Sequence, residues 1–198
     1  CLFQSCPKYR IVILFAMKTI LFLMADGFEE TEFVTPFDYL QRAGFNVVLA
    51  SISGNTSVIG AHGLKIEVDI LLENAELSQY DAVLLPGGNP GFKNLLASEP
   101  VEKTVLEFFE SDRFIFAICA APLVLSKAGI LANLKATCFP GCESDMLCRE
   151  FSEERVVLDG KVLTSRGAGT AEEFALECIA LLGDVSLRET IREQIVAR

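Results

Sequence analysis

The chain has 198 residues, 51% of them hydrophobic, enough for one domain with a full core. Its formal net charge of −10 repels nucleic-acid phosphates and anionic lipid, so neither is expected as a partner. Seven cysteines, an odd number with no CxxC pair, suit a reducing cytoplasm rather than a secreted disulfide framework.

Residues 1–16 read as an extension outside the fold. Lys8 and Arg10 precede an apolar run in the manner of a signal peptide. However, Lys18 interrupts that run, and Leu23, two residues before Ala25, breaks the small-x-small cleavage pattern. The run is also too short to span a bilayer. A single domain is expected over residues 17–198, with Met17 as its start.

In chain order, "KTILFLM" (18–24) is an apolar run of strand length. "EETEFVTPFDYLQRAG" (29–44) has helical spacing, carries Pro36 and ends on Gly44. "NVVLASI" (46–52) is a second strand. "SGNT" is a turn, and "SVIGAHGLKIEVDI" (57–70) reads as short extended pieces. "YDAVLLPGG" (80–88) is a third buried strand that stops at two glycines. "SEPVEKTVLEFFESD" (98–112) is a helix capped by Ser98. Glu99 and Glu102 sit in its first turn, where carboxylates suit the dipole, and Pro100 loses nothing there by lacking an N–H. "FIFAI" (114–118) and "KATCF" (135–139) are a fourth and a fifth strand. "RVVLDGKVLTS" (155–165) is a hairpin turning at Asp159-Gly160. "GTAEEFALECIALLG" (169–183) and "SLRETIREQIVAR" (186–198) are closing helices.

Strands apolar throughout, alternating with helices, predict an α/β fold: a doubly wound, mostly parallel sheet with helices on both faces. Ligands in such sheets sit beyond the carboxyl ends of the strands. "ADGFEETE", "LPGGNPG" and "CAAP" all fall at such ends. Cys119 therefore stands at a strand-to-helix seam, followed by the small residues Ala120 and Ala121, as in a nucleophile elbow. Free N–H groups and the dipole of the helix that follows favour a thiolate. A small buried core residue is the other reading of Cys119.

"ADGFEETE", "LPGGNPG", "AICAAP" and "LTSRGAGTAEEFAL", in this order, resemble the ThiJ/PfpI superfamily from Lys18 to the C-terminal end. The resemblance is strongest to its branch of Parkinsonism-associated and bacterial chaperone/deglycase proteins. It implies a flavodoxin-like fold, a homodimer, a reactive cysteine at Cys119 and an acidic partner at Glu32. Backbone N–H groups of Gly87, Gly88 and Ala120 would form an oxyanion pocket. Pairing would use the first helix, on which Asp38 and Arg42 share a face. Phe33 and Phe37 make an apolar stripe beside them, and packing on the chain's own sheet is their other reading. Two departures stand out: Phe139 occupies a position where that branch carries histidine, and Ala120 occupies one where the protease-like branch does.

Residue chemistry adds to this. A carboxylate beside a thiolate raises the thiol's pKa, so Glu32 and Cys119 work together only by sharing one proton. Glu29 and Glu30 suit a helix N-terminus. His62 is the single histidine and precedes Cys119, so Cys-His amidotransferase or protease chemistry lacks its downstream base. A surface or interface role suits His62 better. Cys138 is a candidate resolving thiol for Cys119 or a core residue, and Cys178 is a core residue. Cys138, Cys142 and Cys148 fit no zinc spacing, and no metal is expected. "LPGGNPG" lacks dinucleotide spacing, "GAGT" serves a tight turn, and no cofactor is expected.

The expected function is a cofactor-free glyoxalase or deglycase. In it Cys119 attacks a small dicarbonyl such as methylglyoxal, or an early glycation adduct on a protein. The alternative is an oxidative-stress sensor or redox chaperone, in which Cys119 is oxidised to a sulfinate held by Glu32. A thiamine-pathway role or a cysteine protease has less support from the residues.

Overall fold

The inner strands come from the apolar runs because neither of their faces meets water. In the computed structural model, which describes residues 17–197, β1 (Thr19–Met24) sends Ile20, Phe22 and Met24 into one core cluster. It sends Leu21 and Leu23 into another. That alternation is the strand's own period of two, with apolar residues on both sides because helices cover both. The expectation for residues 1–16 lies outside the described residues.

The elements follow in order: α1 (Glu30–Arg42), β2 (Asn46–Ser51), β3 (Ser57–Ile59), β4 (Lys65–Glu67), β5 (Ile70–Leu71) and β6 (Ala82–Leu85). Then come α2 (Gly91–Ala97), α3 (Glu99–Glu110), β7 (Phe114–Ile118), α4 (Pro122–Lys127), β8 (Lys135–Ala136) and β9 (Glu150–Phe151). The hairpin β10 (Val156–Asp159) and β11 (Val162–Ser165) precedes α5 (Ala171–Leu182) and α6 (Val185–Gln194). The main sheet has seven strands in the order β10-β11-β7-β6-β1-β2-β5. All neighbours pair in parallel except β10, which runs antiparallel to β11 at the edge. Apolar side chains of α1, α5 and α6 pack on one face, and those of α2, α3 and α4 on the other. The sheet is thus doubly wound and mostly parallel, as expected. No helix among the described residues is long and apolar enough to cross a membrane.

Local signals hold where neighbours in sequence decide them. Ser98 caps α3, its hydroxyl accepting from the Val101 N–H at 3.4 Å. The β10–β11 hairpin closes on Gly160 at φ 60°. One strand assignment is corrected. "KATCF" does not join the main sheet: only Lys135–Ala136 is a strand, paired with β9 in a separate two-stranded patch. The reason is where its next amides go. The Thr137 N–H donates to Thr164 Oγ1 at 3.0 Å and the Phe139 N–H to the Cys119 carbonyl at 2.7 Å, so the segment leaves the ladder and crosses toward the end of β7. The short helix α2, in "GFKNLLA", had no counterpart in the sequence reading.

Candidate active site

β7 is apolar to its last residue, and the chain then reverses within one step. Cys119 takes φ 68°, a left-handed conformation found at only two other non-glycine residues among those described. Such a conformation costs a side-chain-bearing residue about 1–2 kcal/mol and persists only where its surroundings impose it. Here they do so from both sides. The Cys119 N–H donates to the Ser165 carbonyl at the end of β11 (2.8 Å), and the Cys119 carbonyl accepts from Phe139. Ala120 and Ala121 are buried directly behind it, where larger side chains have no room.

The loop after β6 closes over the thiol. A Cβ on Gly87 would lie 2.6 Å from Cys119 Cβ, 2.6 Å from Glu32 Oε2 and 3.0 Å from Cys119 Sγ. Only glycine fits there, and the same test places the thiol and the carboxyl side by side. The Gly87 N–H donates to Glu32 Oε2 at 2.8 Å, and its carbonyl accepts from the Glu29 N–H at 3.1 Å. Gly88, at φ 95°, has the backbone of Gly27, Phe28 and Glu29 where a side chain would go. The start of α1 and the glycine loop are therefore strapped together, and Glu32 is carried inward to 1% exposure.

The three acidic residues of "EETE" divide their work. Glu29 is the N-cap of α1, its Oε2 accepting from the Glu32 N–H at 2.7 Å. Glu30 accepts from the His62 N–H at 2.6 Å and pairs with the exposed His62 ring at 2.7 Å, holding the β3–β4 hairpin against α1. Glu29, Glu30 and His62 are the one group of three possible metal ligands among the described residues. The two carboxylates in it already accept the hydrogen bonds just named.

Burial pushes the Glu32 carboxyl up to about 7. Hydrogen bonds from Cys119 and Gly87 pull it back, the charge of Glu29 adds to the rise, and the Ala168 amide opposes it. Oε1 of this buried carboxyl has no hydrogen-bond partner of good geometry. Burial also raises the Cys119 thiol, and the neighbouring Glu32 charge raises it further. The Ala120 and Gly88 amides act the other way. Burial and mutual repulsion thus oppose ionisation of both groups together near neutral pH.

Of the three amides expected to form an oxyanion pocket, Gly88 and Ala120 face the sulfur, whereas Gly87 is committed to Glu32. The aid expected from the next helix is smaller than its position suggested. α4 has only six residues, and Pro122, its first, has no N–H. Cys138 is fully buried in the core on the α2–α3–α4 side, while Cys119 packs against the opposite cluster, and burial pushes the Cys138 thiol up to about 12. Its core reading fits this place, and its resolving role gains no contact from the fold. Asp38 and Arg42 pair with each other at 2.7 Å on the exposed side of α1. Phe33 is buried against Phe22 and Phe28 of its own chain.

Sequence reasoning missed the contribution of "RGAGT". It was read as a turn, yet Gly167 borders Glu32 Oε1 and the Phe139 ring, and the Ala168 amide acts on Glu32. A groove of about 690 Å³ lined by Lys18, Gly44, Phe45 and Leu187 lies at the opposite ends of the strands, and no cysteine lines it.

The chain is similar to known proteins in sequence and fold. A family model described as DJ-1/PfpI family matches residues 18–181. Parkinson disease protein 7 homolog of Danio rerio is 38% identical over 188 residues, covering 92% of this chain and 99% of that protein. A deglycase of Pyrococcus horikoshii is 30% identical over 165 residues, covering 82% of this chain and 98% of that protein. The chain spans only 37% of the length of Protein DJ-1 homolog B of Arabidopsis thaliana, to which it is 40% identical over 161 residues covering 81% of this chain. The solved structure of oxidized Toxoplasma gondii DJ-1 superposes with a TM-score of 0.87 at 31% identity, covering 91% of this chain and 98% of that one. With the fold, the motifs and full-length relatives in agreement, the chain belongs to the DJ-1/PfpI family.

Proposed function

We propose that this protein is a cysteine-dependent, cofactor-free glyoxalase and deglycase acting on methylglyoxal or on early glycation adducts of proteins. The observation that carries the reading is the buried Cys119–Glu32 pair, whose carboxyl titrates near neutral pH and has one oxygen free of hydrogen bonds. Such a group both gives and takes a proton at the working pH. Relatives named deglycases, 30% and 31% identical to this chain, support the same substrate class.

The chemistry needs no outside redox partner. The Cys119 thiolate adds to the aldehyde carbon, forming a C–S bond, and Glu32 protonates the carbonyl oxygen to give a hemithioacetal. The Gly88 and Ala120 amides stabilise the oxygen while it is negative. Glu32, now ionised, takes the proton from that carbon and returns it to the neighbouring one, while the hydroxyl proton on the first carbon passes to the oxygen of the second; one carbon is oxidised to a thioester as the other is reduced to an alcohol. Water then cleaves the thioester to release the hydroxy acid and the thiol. On a glycation adduct, attack at the same carbon expels the protein's amine or thiol. The test is lactate formation from methylglyoxal with no added thiol, metal or nucleotide, followed by NMR. Turnover above the uncatalysed rate supports the proposal, and its absence toward both methylglyoxal and glycated peptide overturns it.

Two further features suit this reading. The five cysteines described are free thiols, as a reducing cytoplasm allows. Val34 on α1, and Ile59 and Leu64 on the hairpin that Glu30 holds to it, are exposed apolar side chains open to a second copy of the chain. Light scattering at low micromolar concentration is expected to give the mass of a dimer, and Val34→Glu that of a monomer. A monomer in the unsubstituted protein removes the dimer from the proposal and leaves the chemistry standing. A dimer without turnover, whose Cys119 forms a sulfinate with peroxide, instead favours the redox-sensor alternative.

A further inference from the structure

Beside the Cys119 site stands an aromatic side chain that the chemistry above does not use. Phe139 is 47% exposed, and of the 15 phenylalanines in the chain only it and Phe109 expose this much surface among the described residues. Its backbone is not loose. Its N–H donates to the Cys119 carbonyl at 2.7 Å, and its own carbonyl accepts from the Cys142 N–H at 3.0 Å. The main chain that carries the ring is therefore anchored one hydrogen bond away from the nucleophile.

Gly167 shows where the ring stands relative to the carboxyl. A methyl group on Gly167 would lie 3.2 Å from Phe139 Cδ2, 3.6 Å from Cε2 and 3.8 Å from Glu32 Oε1. One point in space thus touches both the aromatic ring and the free oxygen of the proton-transfer group, and glycine leaves that point open. A substituent on a carbon held at Cys119 Sγ and directed toward Glu32 Oε1 would pass this point and meet the ring.

We infer that Phe139, with the space left by Gly167, forms an aromatic platform that makes the site prefer α-oxoaldehydes carrying an aromatic or bulky apolar group over methylglyoxal. The inference rests on the proposed function and names its substrate class. The ring offers an edge or face to a second ring and apolar area to an alkyl chain. Pockets of this kind discriminate by about 10-fold or more for a group of phenyl size. A methyl substituent is too short to cover the ring and gains little from it.

The experiment compares phenylglyoxal with methylglyoxal as the ratio of kcat/KM values in the unsubstituted protein, Phe139→Leu and Phe139→Ala. The ratio is expected to favour phenylglyoxal by about 10-fold or more. It should fall by a similar factor in Phe139→Ala, through KM rather than kcat, and by less in Phe139→Leu, which keeps apolar bulk. A second arm needs no turnover: calorimetric binding of the product acids mandelate and lactate. Mandelate is expected to bind more tightly, and Phe139→Ala to erase the difference. If the protein converts neither aldehyde but prefers mandelate through Phe139, the proposed reaction fails and the platform stands. A preference that is absent in both arms, or unchanged in Phe139→Ala, overturns the inference.

Discussion

Cys119→Ser is expected to reduce lactate formation from methylglyoxal by about 10³-fold or more while leaving the fold intact. Serine differs from cysteine by one atom and fits the same strained turn. It can keep the Ser165 and Phe139 backbone bonds, which involve only the main chain of residue 119. The change lies in chemistry. A hydroxyl buried beside Glu32 remains protonated, and nothing in the site is basic enough to remove its proton. The His62 ring is exposed and bonded to Glu30, and the Glu32 carboxylate, raised by burial to about 7, is far too weak a base for an alcohol. A thiol is by nature far more acidic than an alcohol, so the same site reaches a thiolate at much lower cost even though burial and the Glu32 charge raise Cys119. NMR detection of lactate gives the rate, and a thermal melt of the same sample reports the fold. A serine variant within about 10-fold of the unsubstituted rate would remove Cys119 as the nucleophile.

Glu32→Gln is expected to stabilise the protein at pH 8 by about 3 kcal/mol while impairing turnover. Burial raises the carboxyl to about 7 in the fold, against 4.5 for a glutamate in water. The difference, 7 − 4.5, is about 2.5 units, each worth about 1.4 kcal/mol. Below pH 4.5 the group is protonated in both the folded and the unfolded chain, and pH has no effect through it. Between 4.5 and 7 the folded state keeps a proton that the unfolded state releases, so stability falls as pH rises. Above 7 both states are ionised and the loss is complete. Glutamine carries no charge to bury, and its carbonyl can accept the Gly87 N–H in place of Oε2. The two proteins should therefore unfold at similar urea concentrations at pH 4.5 and separate progressively up to pH 7.5. Equal stability at pH 8 would show that the site stabilises the ionised carboxylate. For thiol alkylation, Gln keeps a donor and should retain part of the rate, whereas Glu32→Asp draws the carboxyl back and should lose more.

Much of this architecture is written in short stretches of chain. "ILFLM" and "FIFAI" are apolar at every position, as suits a strand covered on both faces. Ser98 before "EPVE" marks a helix start through bonds made within four residues. The thiol at the end of "FIFAI", followed by two alanines, already marks a tight turn at the carboxyl end of a strand. In each case the interacting groups are near neighbours in sequence, so composition and spacing suffice.

Other features depend on strands that meet from far apart. Glu32 finds the Gly87 amide 55 residues away, and that partnership follows from β1 lying next to β6 in register. It diverts an amide expected at the oxyanion pocket, and burial of the same carboxyl raises its pKa. "KATCF" has the composition of a strand, but Thr164 and Cys119 accept its amides and draw it off the sheet. Phe139 stands out in the sequence only as a departure from a histidine, and its neighbours appear when Gly167, 28 positions later, is brought between its ring and Glu32. Local sequence encodes the elements because their hydrogen bonds close within a few residues. The charge state of the site and its aromatic border arise only when the packed sheet brings distant loops to one end and removes the water between them.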